Sequence, residues 1–278
     1  MTSVFNQMPL VKIACTCIIL FMSCDSPESK PVVDEAAPAA AQPKLVWSDE
    51  FDNNGLPDST KWNYDVGGHG WGNNELQFYT DKRTENARVE NGMLIIEARK
   101  ETWQGSKYTS ARLITKGKGD WKYGRIEVKA KLPKGLGTWP AIWMLASTNP
   151  FNWPDDGEID IMEHVGYDQG KVHGSVHTKK YNHVIGTQKT NNVMVPDCSE
   201  AFHVYSVEWN AEKVSIGIDN NVFFNFTNEH SGYDAWPFDN KLYLLLNIAV
   251  GGNWGGQKGV DENIWPQKME VDYVRVYQ

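Results

Sequence analysis

The segment Arg125-Ile126-Glu127-Val128-Lys129-Ala130-Lys131-Leu132 alternates charged and apolar residues without a break. In a helix, with a period near 3.6, that pattern would scatter the apolar side chains around the axis. In a strand, with a period of two, it gathers them on one face. The segment is therefore a strand with one buried side and one wet side. Met93 to Arg99, His203 to Trp209, Val214 to Ile218, Val222 to Phe226, Tyr243 to Val250 and Val271 to Tyr277 follow the same pattern. Gly, Pro, Asn and Asp separate these runs, and Asp219-Asn220-Asn221 between two of them is a hairpin-turn signal. No long segment has a helical period, and no repeat is visible. Short strands at this spacing predict an all-β domain, a sandwich or barrel of antiparallel sheets.

One strand carries a pattern that packing alone does not explain. Glu158-Ile159-Asp160-Ile161-Met162-Glu163 holds three acids in six residues. A regular strand puts Glu158, Asp160 and Met162 on one face and turns Glu163 to the other. A β-bulge near Ile161 or Met162 adds a residue and returns Glu163 to the face of Glu158 and Asp160. Three carboxyls on one sheet face suffer desolvation and mutual repulsion. The alternative is a half-exposed strand whose acids meet solvent. Coupled titratable groups of this kind cluster at functional sites, which favours the bulged reading.

The 278 residues include 12 Trp, and 12% of the chain is aromatic. This supports one large β domain. The net charge is -8 and no Lys/Arg run stands out, which argues against a nucleic-acid partner. Abundant Trp in an acidic chain suits a protein that grips sugar rings, although part of the Trp must be core.

Three of the four cysteines, Cys15, Cys17 and Cys24, lie near the N-terminus, so Cys198 has no intrachain partner in the body. Leu10 to Met22 is almost wholly apolar. It is too short to span a bilayer comfortably and fits the apolar core of a signal peptide. The run ends at Phe21-Met22-Ser23-Cys24, where a small residue precedes Cys as in a bacterial lipobox; Phe21 and Met22 depart from its commonest residues. The expected organisation is a lipoprotein-type signal peptide over 1–23, with lipidation at Cys24. A Pro-, Ala- and acid-rich disordered tether over 24–43 and the folded β domain over 44–278 follow. The protein is then an exported cell-surface or periplasmic lipoprotein, with secretion after a later cleavage as the alternative.

Several segments together resemble one family. The acidic hexapeptide is similar to the catalytic signature of glycoside hydrolase family 16 in its bulged form. Trp47-Ser48-Asp49-Glu50-Phe51-Asp52 resembles that family's opening strand, and Gly70-Trp71-Gly72-Asn73-Asn74-Glu75-Leu76-Gln77-Phe78-Tyr79-Thr80 is similar to its bacterial laminarinase subgroup. Gly137-Thr138-Trp139-Pro140-Ala141-Ile142-Trp143-Met144 and Val271-Asp272-Tyr273-Val274-Arg275-Val276-Tyr277 fit as well. The resemblance spans about residue 45 to 278 and implies a jelly-roll β-sandwich with a sugar cleft across its concave sheet. The bulged spacing resembles the laminarinases, agarases, porphyranases and carrageenases more than the lichenases, whose acids alternate regularly.

The resemblance implies Glu158 as nucleophile and Glu163 as general acid/base, with Asp160 between them. In retaining glycosidases the two carboxyls stand about 5–5.5 Å apart, one attacking the anomeric carbon and the other protonating the leaving oxygen. Glu163 must then hold its proton near neutrality while Glu158 is ionised. The resemblance also implies substrate-binding residues. Trp139 is expected to stack on sugar, while Trp143 fits a sugar platform or the core equally. Arg112 offers a rigid donor fork for hydroxyls or a carboxylate, or forms a surface ion pair. Asn74 and Glu75 are expected on the non-reducing side, His177 near the leaving group or in a structural role, and Trp254 over a distal subsite. Many relatives bind a structural calcium ion on the convex side, and Glu50, the Gly92 carbonyl and Asp272 match those positions.

The implied activity is retaining, endo-acting hydrolysis of β-1,3-glucosidic bonds in laminarin-like and possibly mixed-linkage glucan. The alternatives are hydrolysis of agar-, porphyran- or carrageenan-type galactan, and a non-catalytic glycan-binding surface protein. The partners are a β-glucan chain and, through the lipid anchor alone, a membrane. A monomer needing no catalytic cofactor is expected.

Overall fold

The computed structural model describes residues 43–278. The signal segment, most of the tether and Cys24 lie outside the described residues. Strands run from Leu45–Asp49 to Gln267–Tyr277. The one helical element among the described residues is a 3-10 turn, His183–Ile185. None of the described helices is long and apolar enough to cross a membrane.

The strands form two sheets. The first has ten strands. Its order is Asn221–Thr227, Lys213–Ile218, His203–Trp209, Gly124–Lys131, Gln267–Tyr277, Met93–Trp103, Ser106–Ser110 and Gln77–Tyr79, with Leu45–Asp49 and Ala87–Glu90 pairing onto this path. The second has eight. Its order is Lys189–Met194, Lys171–His177, Glu158–His164, Thr138–Ala146, Leu242–Val250, Arg112–Ile114 and Asn63–Tyr64, with Asp120–Trp121 on Leu242–Val250. Pairing is antiparallel except between Gln77–Tyr79 and Ser106–Ser110, which run parallel. This is the expected all-β sandwich.

The alternating segment behaves as its pattern requires. Ile126, Val128 and Ala130 are fully buried and share one core with Ile159, Ile161, Val172 and Val176 of the facing sheet. The charged residues between them meet outer partners: Arg125 pairs with Glu127 at 2.7 Å, Lys129 with Asp272 at 2.7 Å, and Lys131 with Glu270. The hairpin predicted at Asp219-Asn220 is present. Both residues take positive φ, 50° and 68°, as a two-residue turn matching the strand twist requires.

Two expectations need correction. Val214 to Ile218 and Tyr243 to Val250 lack a wet face: every residue of the first is buried, and so are all nine residues of Leu242–Val250. The latter strand lies in the middle of the second sheet. One side faces the sandwich core. On the other, Tyr243 and Leu245 pack with Ile114 and Leu145 beneath Trp143, Phe151 and Trp153. A second apolar layer therefore covers the sheet face that a two-layer reading leaves to solvent.

Candidate active site

The acidic strand, Glu158–His164, is bulged. Against Thr138–Ala146, Asp160 pairs with Trp143 and Met162 with Ile142, leaving Ile161 as the extra residue. Against Lys171–His177, Asp160 pairs with Ser175 and Glu163 with His173, so three steps on one strand match two on the other. Ile161 and Met162 both turn into the core and are fully buried. Glu158, Asp160 and Glu163 all face the same cleft.

That cleft has a volume of about 860 Å³, within the range of a site enclosing several sugar units. The strand Thr138–Ala146 presents Trp139, Ala141, Trp143 and Leu145 to it, as period-two alternation dictates. Each outer carboxyl is held by an indole. Trp153 Nε1 donates to Glu158 Oε2 at 2.8 Å, and Trp139 Nε1 donates to Glu163 Oε1 at 3.0 Å. His177 Nε2 lies 3.2 Å from Asp160 Oδ2 and 3.9 Å from Glu158 Oε1.

All three carboxyls hold their protons above the ordinary range. Burial pushes Glu158 up to about 8, and the charge of Asp160 adds to it. His177 and the Trp153 N–H pull it back. Burial, then the charge of Glu158, pushes Glu163 up to about 7, against His177 and the Trp139 N–H. Asp160 is raised by burial and by the charge of Glu163. Like charges this close do not ionise together, and the protons leave in steps that belong to the group rather than to single residues. Such a set holds a proton on one carboxyl while another is ionised at neutral pH. The division of roles therefore has to come from the bound sugar and from the donors on each acid.

A sequence model described as Glycosyl hydrolases family 16 matches residues 73–275. The chain belongs to this family. A beta-glucanase of Rhodothermus marinus is 56% identical over 243 residues, covering 84% of this chain and 85% of its own length. The X-ray structure of the laminarinase from Rhodothermus marinus superposes with a TM-score of 0.84 at 56% identity, covering 85% of this chain and 98% of that one. A non-specific endo-β-1,3(4)-glucanase of the family, co-crystallised with 1,3-β-D-cellotriosyl-glucose, superposes with a TM-score of 0.83 at 51% identity, covering 86% of this chain and 95% of that one.

The second sheet and the loops around it supply the rest of the site. Arg112 lines the cleft, with its guanidinium carbon 4.6 Å from the ring centroids of both Trp71 and Trp143. Its Nε is 2.9 Å from Asp65 Oδ2. Trp143 Nε1 donates to Asn247 Oδ1 at 2.7 Å, Asn247 Nδ2 to the Tyr79 hydroxyl at 2.9 Å, and that hydroxyl to Glu75 Oε2 at 3.2 Å. Glu75 also accepts from Gln77 at 2.6 Å and from Asn73 at 3.3 Å. Burial raises the Glu75 carboxyl, opposed by these donors and by Arg112. One polar chain thus runs along the floor from Glu75 through Tyr79 and Asn247 to Trp143.

One expected residue is placed differently. Asn74 is exposed with φ of 55°, and its amide donates to Asn253 at 2.8 Å, joining two loops at the rim; its neighbour Asn73 is the one that lines the cleft. Trp254 lines the cleft and stands edge-on to Trp139 at 5.6 Å and to His173 at 5.0 Å. The glycines around it do permit close approach. Gly252 has φ of 76°, and a Cβ there would come 3.0 Å from the Asn73 carbonyl oxygen.

Of the expected calcium ligands, Glu50 is held by Arg275 through two bonds of 3.0 and 2.8 Å, and Asp272 is paired with Lys129. Gly92 forms the turn after Ala87–Glu90 with φ of 75°. The donor set as arranged is one of ion pairs; a cation there would have to draw both carboxylates away from their basic partners. Within the cleft, Glu158, Asp160 and His177 offer ligand atoms within 4.8 Å of one another.

Trp153, Trp71, Asn73, Asn247, Asp65 and His183 escaped the sequence reading. Trp153 carried the clearest signal, an aromatic residue five positions before Glu158 in a short polar loop. The others sit on loops or distant strands whose approach to the acids depends on tertiary pairing.

Proposed function

We infer that this family 16 enzyme hydrolyses β-1,3-glucosidic bonds in laminarin-like glucan by an endo-acting, retaining double displacement. The observation carrying this reading is the bulge at Ile161, which leaves Glu158, Asp160 and Glu163 on one cleft face among indole rings. The relatives described above, one of them a non-specific β-1,3(4)-glucanase, support glucan as the substrate class and extend it to mixed-linkage chains.

In the proposed cycle Glu163 gives its proton to the leaving glycosidic oxygen while ionised Glu158 attacks the anomeric carbon. A water then displaces Glu158, with Glu163 taking back a proton. Glu158 is aimed by the Trp153 N–H and by Asp160, which His177 faces. Glu163 is aimed by Trp139. Sugar stacking falls to Trp139, Trp254 and the Arg112-backed Trp143. Lipid attachment at Cys24, export to the cell surface or periplasm and a monomeric state complete the proposal, as does a structural calcium ion at Glu50, Gly92 and Asp272.

The test is product analysis on laminarin, lichenan and agarose, with the anomeric configuration of the first product followed by NMR. Release from laminarin with retained configuration is expected, and its loss in Glu158→Ser with folding and oligosaccharide binding intact. An inverted product, or turnover in Glu158→Ser near that of the parent, rejects the mechanism.

A further inference from the structure

Trp153 is the only hydrogen-bond donor from outside the acidic strand within 3 Å of Glu158 among the described residues, yet it sits on a loop. A loop indole keeps its N–H on target only if its ring is held. Beneath it lies the apolar layer of Leu145, Tyr243 and Leu245. Two imidazoles bound it as well: the His183 ring is 5.2 Å away, tilted by 43°, and the His177 ring is 6.1 Å away. His183 also stands edge-on to His177 at 5.2 Å, so the three rings brace one another around the Glu158–Asp160 pair.

His183 comes from the loop between Lys171–His177 and Lys189–Met194, and that loop is built with unusual care. Its 3-10 turn contains no buried residue, and Val184 and Ile185 are 70% and 58% exposed, so the turn is held from the segment before it, where Tyr181 is buried in the core against Phe226. Asn182 ties the turn to that segment. This side chain is 4% exposed, donates to the Thr178 and Lys179 carbonyls at 3.1 and 3.2 Å, and accepts from the Ile185 N–H at 3.3 Å. Gly186, with φ of 68°, closes the turn. A turn pinned by a buried amide presents the His183 ring to the cleft wall, with Val184 beside it.

We propose that His183 is a positioning residue, one that holds the Trp153 indole so that its N–H stays on Glu158. Burial and the neighbouring His177 lower the affinity of His183 for a proton, which keeps its ring uncharged against the indole. The proposal rests on the reading of Glu158 as nucleophile. Misplacing the attacking carboxylate slows the chemical step more than it weakens binding of glucan, whose contacts are spread along the cleft.

Steady-state kinetics on a laminari-oligosaccharide test this with His183→Ala, His183→Phe, Trp153→Phe and the Trp153→Phe/His183→Ala double variant, each first checked for a cooperative melt. His183→Ala should lower kcat about tenfold with KM changed less than about twofold. His183→Phe should recover most of the rate, because a flat ring refills the place beside Trp153. The double variant should be no slower than Trp153→Phe alone, since the N–H that His183 steadies is already gone. The proposal is overturned by losses that multiply in the double variant, by a raised KM at unchanged kcat in His183→Ala, or by a folded His183→Phe as slow as the alanine variant. A wild-type rate in His183→Ala beside an inactive Glu158→Ser rejects the positioning role alone. Retained turnover in Glu158→Ser rejects the underlying reading with it.

Discussion

Asp160→Asn should move the whole pH–rate profile to lower pH. The charge of Asp160 adds to the burial that lifts Glu158, and Asp160 and Glu163 repel each other, the charge of Glu163 raising Asp160. A carboxyl beside a negative charge keeps its proton to higher pH, so removing that charge lets both protons leave at lower pH. Ligand atoms of Asp160 and Glu158 lie within 4.8 Å of each other. Two unit charges at that separation repel by about 3.5 kcal/mol at an effective dielectric near 20, and by about 0.9 kcal/mol in bulk water. These limits correspond to roughly 2.5 and 0.6 pKa units. The neighbouring His177 and the Trp153 N–H already draw Glu158 back, so a displacement between these limits, about one unit, is expected. The assay is kcat/KM on a soluble laminari-oligosaccharide between pH 4 and 10, which reports the free enzyme. Both limbs should shift in the same direction, which makes the outcome independent of how the two pKa values divide between Glu158 and Glu163. The rate should also fall about 10- to 100-fold, because Asp160 orients the nucleophile. A profile whose limbs stay in place would refute the argument and show that Asp160 is uncharged in the working enzyme.

Asp65→Ala should raise KM for laminarin several-fold with a small change in kcat, because Arg112 between Trp71 and Trp143 loses its ion partner; an unchanged KM would mean that the two indoles hold Arg112 unaided. Cys24→Ala should release the enzyme from the membrane fraction of the expressing cells, and undiminished pelleting counts against lipid attachment. Calcium at Glu50, Gly92 and Asp272 predicts a higher melting temperature on adding the ion and a lower one on chelation. Identical melts in both conditions reject the site and leave Arg275 and Lys129 as the partners of those carboxylates.

The fold was legible because its signal is local. Alternation in Arg125–Leu132 requires one buried face whatever lies opposite it, and two consecutive positive-φ positions at Asp219-Asn220 suit Asp and Asn. The three acids were legible for the same reason, since parity along one strand decides which face each occupies. What failed to show was whatever depends on a neighbour far away in sequence. The strand Leu242–Val250 looks half-wet until Trp143 and Trp153 are seen to cover it. Asn73 and Asn74 are indistinguishable by type, and only the left-handed turn at Asn74 decides which of them enters the cleft. His183 and Trp153 are 30 positions apart and meet only because two loops fold toward the same acid.

The register also says what the bulge itself contributes. Met162 lies opposite Ile142 and Glu163 opposite Ala141, while Asp160 lies opposite Trp143, so the pairing with Thr138–Ala146 is continuous once Ile161 is left out. The same holds on the other side, where Asp160 faces Ser175 and Glu163 faces His173. Deleting Ile161 would therefore create a regular strand in which Glu163 keeps its partners and its face. The loss is a fully buried Ile side chain, about 2–5 kcal/mol of core packing by analogy with large-to-small substitutions, together with the extra local twist that a bulge imparts. The deletion variant should melt cooperatively at a lower temperature and still release sugar from laminarin with retained configuration, at a reduced rate. If instead it folds and shows no hydrolysis, the face of the sheet is not enough. The twist at Ile161 would then be what brings the Glu163 carboxyl within reach of the bond that Glu158 attacks.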